Sequence, residues 1–179
     1  MGYPFRSGLR NDVMGSYAVI QMKDLSRTNR VDCSSLIRID LNNIKPHHLV
    51  KQNDLIFRSR GQITTTAIFV DNLGDAIVAA PLIRIRVTDH QILPEYLNWY
   101  FSQKKTQNWF AARREGTHGG MISKTTLENL EVDIPYMENQ KKILKIDALL
   151  KKENELTEKL GEKRNLYVST LLMQLAKGE

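Results

Sequence analysis

The first half of the chain carries its apolar residues in short runs of β type. Residues 17–22 read as a strand, and Leu36-Ile37-Arg38-Ile39 as a shorter one. Leu55-Ile56-Phe57 is an apolar strand that ends at Arg58-Ser59-Arg60-Gly61. The β-branched run 63–70, which contains Thr64, is expected to pair with it as a hairpin. Residues 71–75 form a turn, and 76–81 with 82–87 make two further strands or one bent strand. Alternation in the last run puts Arg84 and Arg86 on one face and Ile83, Ile85 and Val87 on the other. Residues 1–14 have no clear period and read as extended or partly disordered.

The pattern then turns helical. Pro94 is tolerated in the first turn of a helix that carries Leu97 and Phe101 on its apolar side. A second or continuing helix holds Trp109, Phe110, Arg113 and Arg114. These aromatics fit a core better than a stacking platform for unpaired bases. Gly116-Thr117-His118-Gly119-Gly120 is a polar loop, read either as a groove-binding loop or as a plain connector. Ser123 has the chemistry of a helix N-cap, and Leu130-Glu131-Val132-Asp133-Ile134 alternates like a half-buried strand ended by Pro135. From residue 138 the apolar positions include Ile143, Ile146, Leu149, Leu150, Leu156, Leu160, Tyr167, Leu171, Leu172 and Leu175. Many of their spacings are three, four or seven, the stripe of a coiled-coil-type helix. Some forty residues at 1.5 Å each would be roughly 60 Å long. Such a stripe wants a partner helix; folding back on its own domain is the alternative. Gly161 and the polar runs 151–155 and 161–165 weaken its middle.

The expected class is therefore α+β: a mixed α/β domain with a twisted β-sheet over 1–137, then a long α-helical arm over 138–179. The net charge of +6 and the pI of about 9.4 favour a polyanionic partner, although modest basicity also serves solubility alone. Its placement adds weight. Arg58, Arg60, Arg84, Arg86, Lys104, Lys105, Arg113, Arg114 and Lys124 lie between Phe57 and Lys124 with few acids among them. A single Cys33 excludes a disulfide framework and a cysteine-based zinc site. His47 and His48 are adjacent, so they do not share a helix face, and read as turn histidines rather than metal ligands. No apolar run approaches the roughly 20 residues that span a bilayer, and the N-terminus lacks a signal region, which points to the cytoplasm.

No catalytic constellation emerges. There is no Gly-x-x-x-x-Gly-Lys-Ser/Thr phosphate loop, no Asn-Pro-Pro-Tyr or Asp-Pro-Pro-Tyr sequence, and no Pro-Asp…Glu-x-Lys nuclease signature. Asp24 and Asp54 read as caps and turns. No cofactor or metal is expected. The available chemistry is binding: arginines for guanine edges, amides for adenine, and Lys, Ser, Thr and backbone amides for phosphates.

The order of elements resembles the specificity subunit of Type I restriction–modification systems, in a half-sized form with one target recognition domain. Gly15-Ser16-Tyr17-Ala18-Val19-Ile20-Gln21-Met22-Lys23-Asp24-Leu25 is similar to that family's opening strand, and Asn53-Asp54-Leu55-Ile56-Phe57 with Gly61 to its central one. Pro94-Glu95-Tyr96-Leu97-Asn98-Trp99-Tyr100-Phe101 resembles its helix. The Gly-rich loop, Ile122-Ser123, Leu127, Leu130-Glu131-Val132-Asp133-Ile134-Pro135 and Glu138-x-Gln140-x-x-Ile143 resemble the end of the domain. The resemblance covers nearly the whole chain. It implies sequence-specific reading of double-stranded DNA, with methylation and cleavage carried out by separate modification and restriction subunits. It also implies that the helix is a spacer. The family's usual subunit has two such domains; this chain has one, as a dimerising half-subunit or a fragment would.

On that reading the DNA-facing candidates are Arg58, Arg60, Thr64, Arg84, Arg86, Lys104, Lys105, Arg113, Arg114, Thr117, His118, Gly119 and Lys124. The dimerisation candidates are Ile143, Ile146, Leu149, Leu150, Leu156, Leu160, Tyr167, Leu171 and Leu175. A helical scaffold of a nucleic-acid enzyme without sequence readout is the alternative, and a small enzyme with an unfamiliar site a further one.

Overall fold

A computed structural model describes the chain except residues 6, 7, 27, 43, 62, 63, 72, 117–119 and 179. Among the described residues, seven strands come first: β1 (Tyr17–Ile20), β2 (Ile37–Ile39), β3 (Leu49–Val50), β4 (Leu55–Arg58), β5 (Thr66–Ile68), β6 (Ala76–Val78) and β7 (Leu82–Ile85). Four α-helices follow: α1 (Pro94–Ser102), α2 (Lys104–Ala111), α3 (Lys124–Glu128) and α4 (Met137–Lys177). The chain divides into two compact units, Met1–Met137 and Glu138–Glu179. The class is α+β with a long C-terminal helix.

Where one sheet is expected, the strands form two. The first has the order β2-β1-β6-β3, with β1 parallel to β6 and antiparallel to β2. The second has the order β5-β4-β7, antiparallel throughout. β4 and β5 pair as the expected hairpin, Leu55 opposite Ile68 and Phe57 opposite Thr66. The runs 76–81 and 82–87 are separate strands that lie in different sheets.

Burial explains this layering. Ala18, Ile20, Ala76 and Val78 of the first sheet pack with Ile56, Ala67 and Leu82 of the second in one apolar cluster. Val19, Ile77 and Ile39 face the other way and pack with Tyr3, Phe5 and Leu9. β1 and β6 are therefore covered on both faces, and they read as continuous apolar runs rather than alternating ones. Phe57, Ile83, Phe101, Phe110 and Ile122 form a third cluster that joins the second sheet to α1, α2 and the chain before α3. The ring centroids of Phe101 and Phe110 lie 5.9 Å apart and those of Phe57 and Phe110 5.2 Å, so these aromatics are core.

Three local details depart from the sequence pattern. The segment 130–134 belongs to no strand. Its carbonyl at Asp133 accepts a 2.6 Å hydrogen bond from the Tyr96 hydroxyl, and Leu130 and Val132 pack on the third cluster. Residues 1–5 are ordered by pairing: the Tyr3 amide donates to Val78 O at 2.6 Å and that of Gly2 to Leu82 O at 2.8 Å. The two-residue β3 has no counterpart in the sequence reading.

Candidate nucleic-acid interface

Arg58 ends β4, the central strand of its sheet, and the next residue turns inward. Ser59 is buried, and its hydroxyl donates to Pro81 O. Its carbonyl accepts from the Ile122 amide at 2.7 Å. The segment after β4 is thereby joined to the segment after α2. Arg60 bridges to Met121, Gly61 N donates to Gly120 O at 3.4 Å, and Met121 exchanges two backbone bonds with Glu115 at 3.1 and 2.9 Å. Gly61 has φ +117°, and an added Cβ would sit 3.1 Å from Arg58 Nη2. The positive φ therefore calls for glycine, while the guanidinium beside it could yield by a few tenths of an ångström.

The arginines of this region fall into two groups. Arg58 Nε donates to Arg60 O at 3.1 Å, and Arg114 Nη2 donates to Thr64 Oγ1 at 3.0 Å. Both are half-buried and bind other parts of the loops. Arg60 and Arg113 are exposed. Arg113 stacks on Trp109, its Cζ 4.3 Å from the ring centroid, and its Nη1 donates to Trp109 O at 3.5 Å, which limits its rotamers. Lys124 opens α3, two residues beyond Ile122, and pairs with Glu128 at 3.0 Å on the surface. Such an exposed pair holds a lysine only weakly.

Other candidate residues lie in different settings. Arg84 and Arg86 do share one face of the last strand region, but that face is occupied. Arg86 grips Asp54 with two bonds, Nε at 2.7 Å and Nη2 at 2.6 Å; Arg84 lies 3.6 Å from the same carboxylate and donates to Leu49 O. Hydrogen bonding to Asp54 raises the Arg86 pKa further above its ordinary value. Both guanidiniums are thus engaged by the buried Asp54 carboxylate and by the Leu49 carbonyl. Lys104 and Lys105 open α2, where Lys105 is 3.9 Å from Asp133. Thr117, His118 and Gly119 lie outside the described residues.

Among the described residues no group of three or more His, Cys, Asp or Glu could hold a metal ion. Burial, with Asp71 beside it, pushes the Cys33 thiol up to about 12, so it is not a thiolate at neutral pH. No helix of the described chain is long and apolar enough to cross a membrane.

The family model of the Type I restriction modification DNA specificity domain matches residues 5–163. The chain belongs to that family. The match runs from the N-terminal segment into α4, so the loops bearing Arg60 and Arg113 and most of the arm lie inside the specificity domain. A search of curated proteins found no significant match.

The partners of this specificity domain's arginines were not foreseen from its sequence. The Trp109–Arg113 stack had a signal, the i, i+4 spacing on a helix end. The Asp54–Arg86 pair had none, since 32 residues separate its members. Also unforeseen is the tip at Val13 and Met14, exposed at 78 and 87 %. It is held by Asp12 Oδ1, which accepts from the Met14 amide, and by Asn11 Oδ1, which accepts from the Arg38 amide.

Proposed function

We propose that the chain reads one half of an interrupted double-stranded DNA sequence, and that it directs methylation and cleavage by separate modification and restriction subunits. The observation that carries this reading is the pair of hydrogen-bonded loops, with Arg60 and Arg113 exposed on them, in a specificity domain. Arg58 and Lys124 are further members of this surface, whereas Thr64 is buried and holds Arg114. Arginine suits this task because its planar fork can take two acceptors on one guanine edge.

The arm completes the reading. Residues 138–179 would associate with a second copy as antiparallel helices, placing two reading domains at a fixed separation. A two-fold dimer of this kind suits an interrupted palindrome. The charged flank of the arm would remain for the modification subunit, and the setting would be cytoplasmic. The chain would be a half-sized subunit that carries no catalytic residues of its own.

The decisive experiment is selection from random duplex DNA followed by titration at graded salt. A reader enriches one sequence, and its log affinity falls linearly with log salt. Binding without enrichment, or no binding at low salt, would favour a scaffold that acts through its exposed helix. Replacing a base-contacting arginine by alanine should cost about 1–3 kcal/mol and relax one position of the site.

A further inference from the structure

The bond between Arg114 and Thr64 stands apart from the rest of the surface. Thr64 is 4 % exposed, so its hydroxyl is not available to DNA. Its neighbours' hydroxyls, Thr65 and Thr66 Oγ1, are buried with no hydrogen-bond partner among the described residues. Of three consecutive threonines, only Thr64 meets the arginine. The bond spans 50 positions in sequence and ties the strand approaching β5 to the residue that opens the segment after α2. Among the described residues, the other ties between these segments are backbone bonds at Ser59, Gly61 and Arg60, on the β4 side of the turn. Arg114 closes the opposite side. Gly120 packs against it, with an added Cβ only 3.1 Å from Arg114 Cβ.

We infer that Arg114 is a positioning residue: through Thr64 it locks the segment after β4 to the segment after α2, and leaves Arg60 and Arg113 to meet the DNA. This rests on the DNA-reading function proposed above. A side chain that orients others, without touching a phosphate, leaves a distinct mark. Its loss weakens binding to the selected sequence while the number of counterions released stays constant. A phosphate contact would instead lower the salt slope by about one on its removal.

The test uses the full chain, a duplex selected by the wild-type protein, and a random duplex as control. Thr64→Val removes the acceptor and keeps the β-branched shape. It should weaken binding to the selected duplex about tenfold, the worth of one charge-assisted hydrogen bond. The random duplex and the salt slope should be unaffected. Arg114→Gln should match it, and the double variant should add little, since both remove one interaction. Thr64→Ser restores the hydroxyl and should restore affinity, which a mere packing role would not require. If Thr64→Val does not fold, Arg114→Gln against Thr64→Ser carries the same comparison. A slope that falls by about one in Arg114→Gln, or a Thr64→Val protein with wild-type affinity for the selected duplex, overturns the inference alone. A wild-type chain that selects no sequence overturns it together with the DNA-reading function.

Discussion

At the scale of single residues, charge is spent inside the domain as well as on its surface. Asp54 is 1 % exposed and accepts from Lys51 N at 2.8 Å as well as from Arg86. It is both a turn cap and the counter-charge of two guanidiniums. Asp54→Ala should therefore lower unfolding stability by about 3 kcal/mol, the usual cost of leaving one side of a buried pair uncompensated. Urea titration measures it. Arg86→Ala should also destabilise, yet leave the salt slope of DNA binding at the wild-type value; a slope lowered by about one would return Arg86 to the DNA surface. His48 gives a pH effect. Its ring meets Tyr3 edge-on at 5.4 Å, and its Nδ1 is buried with no hydrogen-bond partner among the described residues. Burial first, then the neighbouring charges of His47, the N-terminus, Lys45 and Arg84, hold its pKa below the ordinary 6.5. A lowered folded pKa means the unfolded chain takes up the proton more readily. The contribution to stability is present above pH 6.5 and is lost as the pH falls through the folded value. Thermal unfolding between neutral pH and about pH 5 should show a smaller slope in His48→Gln than in the wild type. Equal slopes would mean that another group governs this range.

At the scale of elements, caps and cores set how firmly the loops are held. Ser123 Oγ accepts from the Thr126 amide at 3.0 Å and starts α3 directly after Ile122, which is hydrogen-bonded to Ser59. Ser123→Ala should cost about 1 kcal/mol, visible as a lowered unfolding midpoint. Phe110 is fully buried between Phe57 and Phe101, and Phe110→Ala should cost about 3–5 kcal/mol. If Phe110→Ala retained the wild-type midpoint, the third cluster would not be the support of these loops. The cap at Ser123 and the start of α1 at Pro94 are legible in the sequence because their signals are local, a hydroxyl before a helix and a proline in its first turn. The segment 130–134 shows the limit of such signals. Its alternation marks Leu130, Val132 and Ile134 as inward; Leu130 and Val132 pack on the third cluster, but Ile134 is 48 % exposed, and a strand also needs a neighbour where here the Asp133 carbonyl is taken by Tyr96. The division into two sheets is hidden for a related reason. Ala18 pairs with Ala76 and Leu55 with Ile85, and no nearby residue announces those partners. The basic character of the loops is visible in the chain, whereas the distinction between Arg86 inside and Arg60 outside depends on distant Asp54.

At the scale of the whole molecule, the arm poses the main energetic question. Its apolar stripe is exposed along most of its length, from 39 % at Leu171 to 71 % at Leu175, with Ile146, Leu149, Leu150, Leu156, Leu160 and Tyr167 between those values and Ile143 half-buried. Leu149, Leu156 and Leu160 border a shallow groove on the helix surface. At about 25 cal/mol per Å², covering such a stripe is worth several kcal/mol. The exposed ion pairs Asp147–Lys151 and Lys159–Glu155, both i, i+4, give the helix some stability of its own but cannot replace that burial. Association of two arms would supply it, and would hold two DNA-reading surfaces in register. Light scattering on the isolated protein should therefore give a dimer mass at tens of micromolar, falling toward the monomer on dilution as mass action requires. Changing Leu156 and Leu160 together to Asp should shift it to the monomer. The same change should weaken binding to a two-half-site duplex far more than to a single half-site, because linked sites gain from effective concentration. A wild-type monomer at that concentration would sink the dimer. A dimer that survives the double substitution would place association on another surface, and equal losses on the one-site and two-site duplexes would separate the arm from the spacing of the DNA halves.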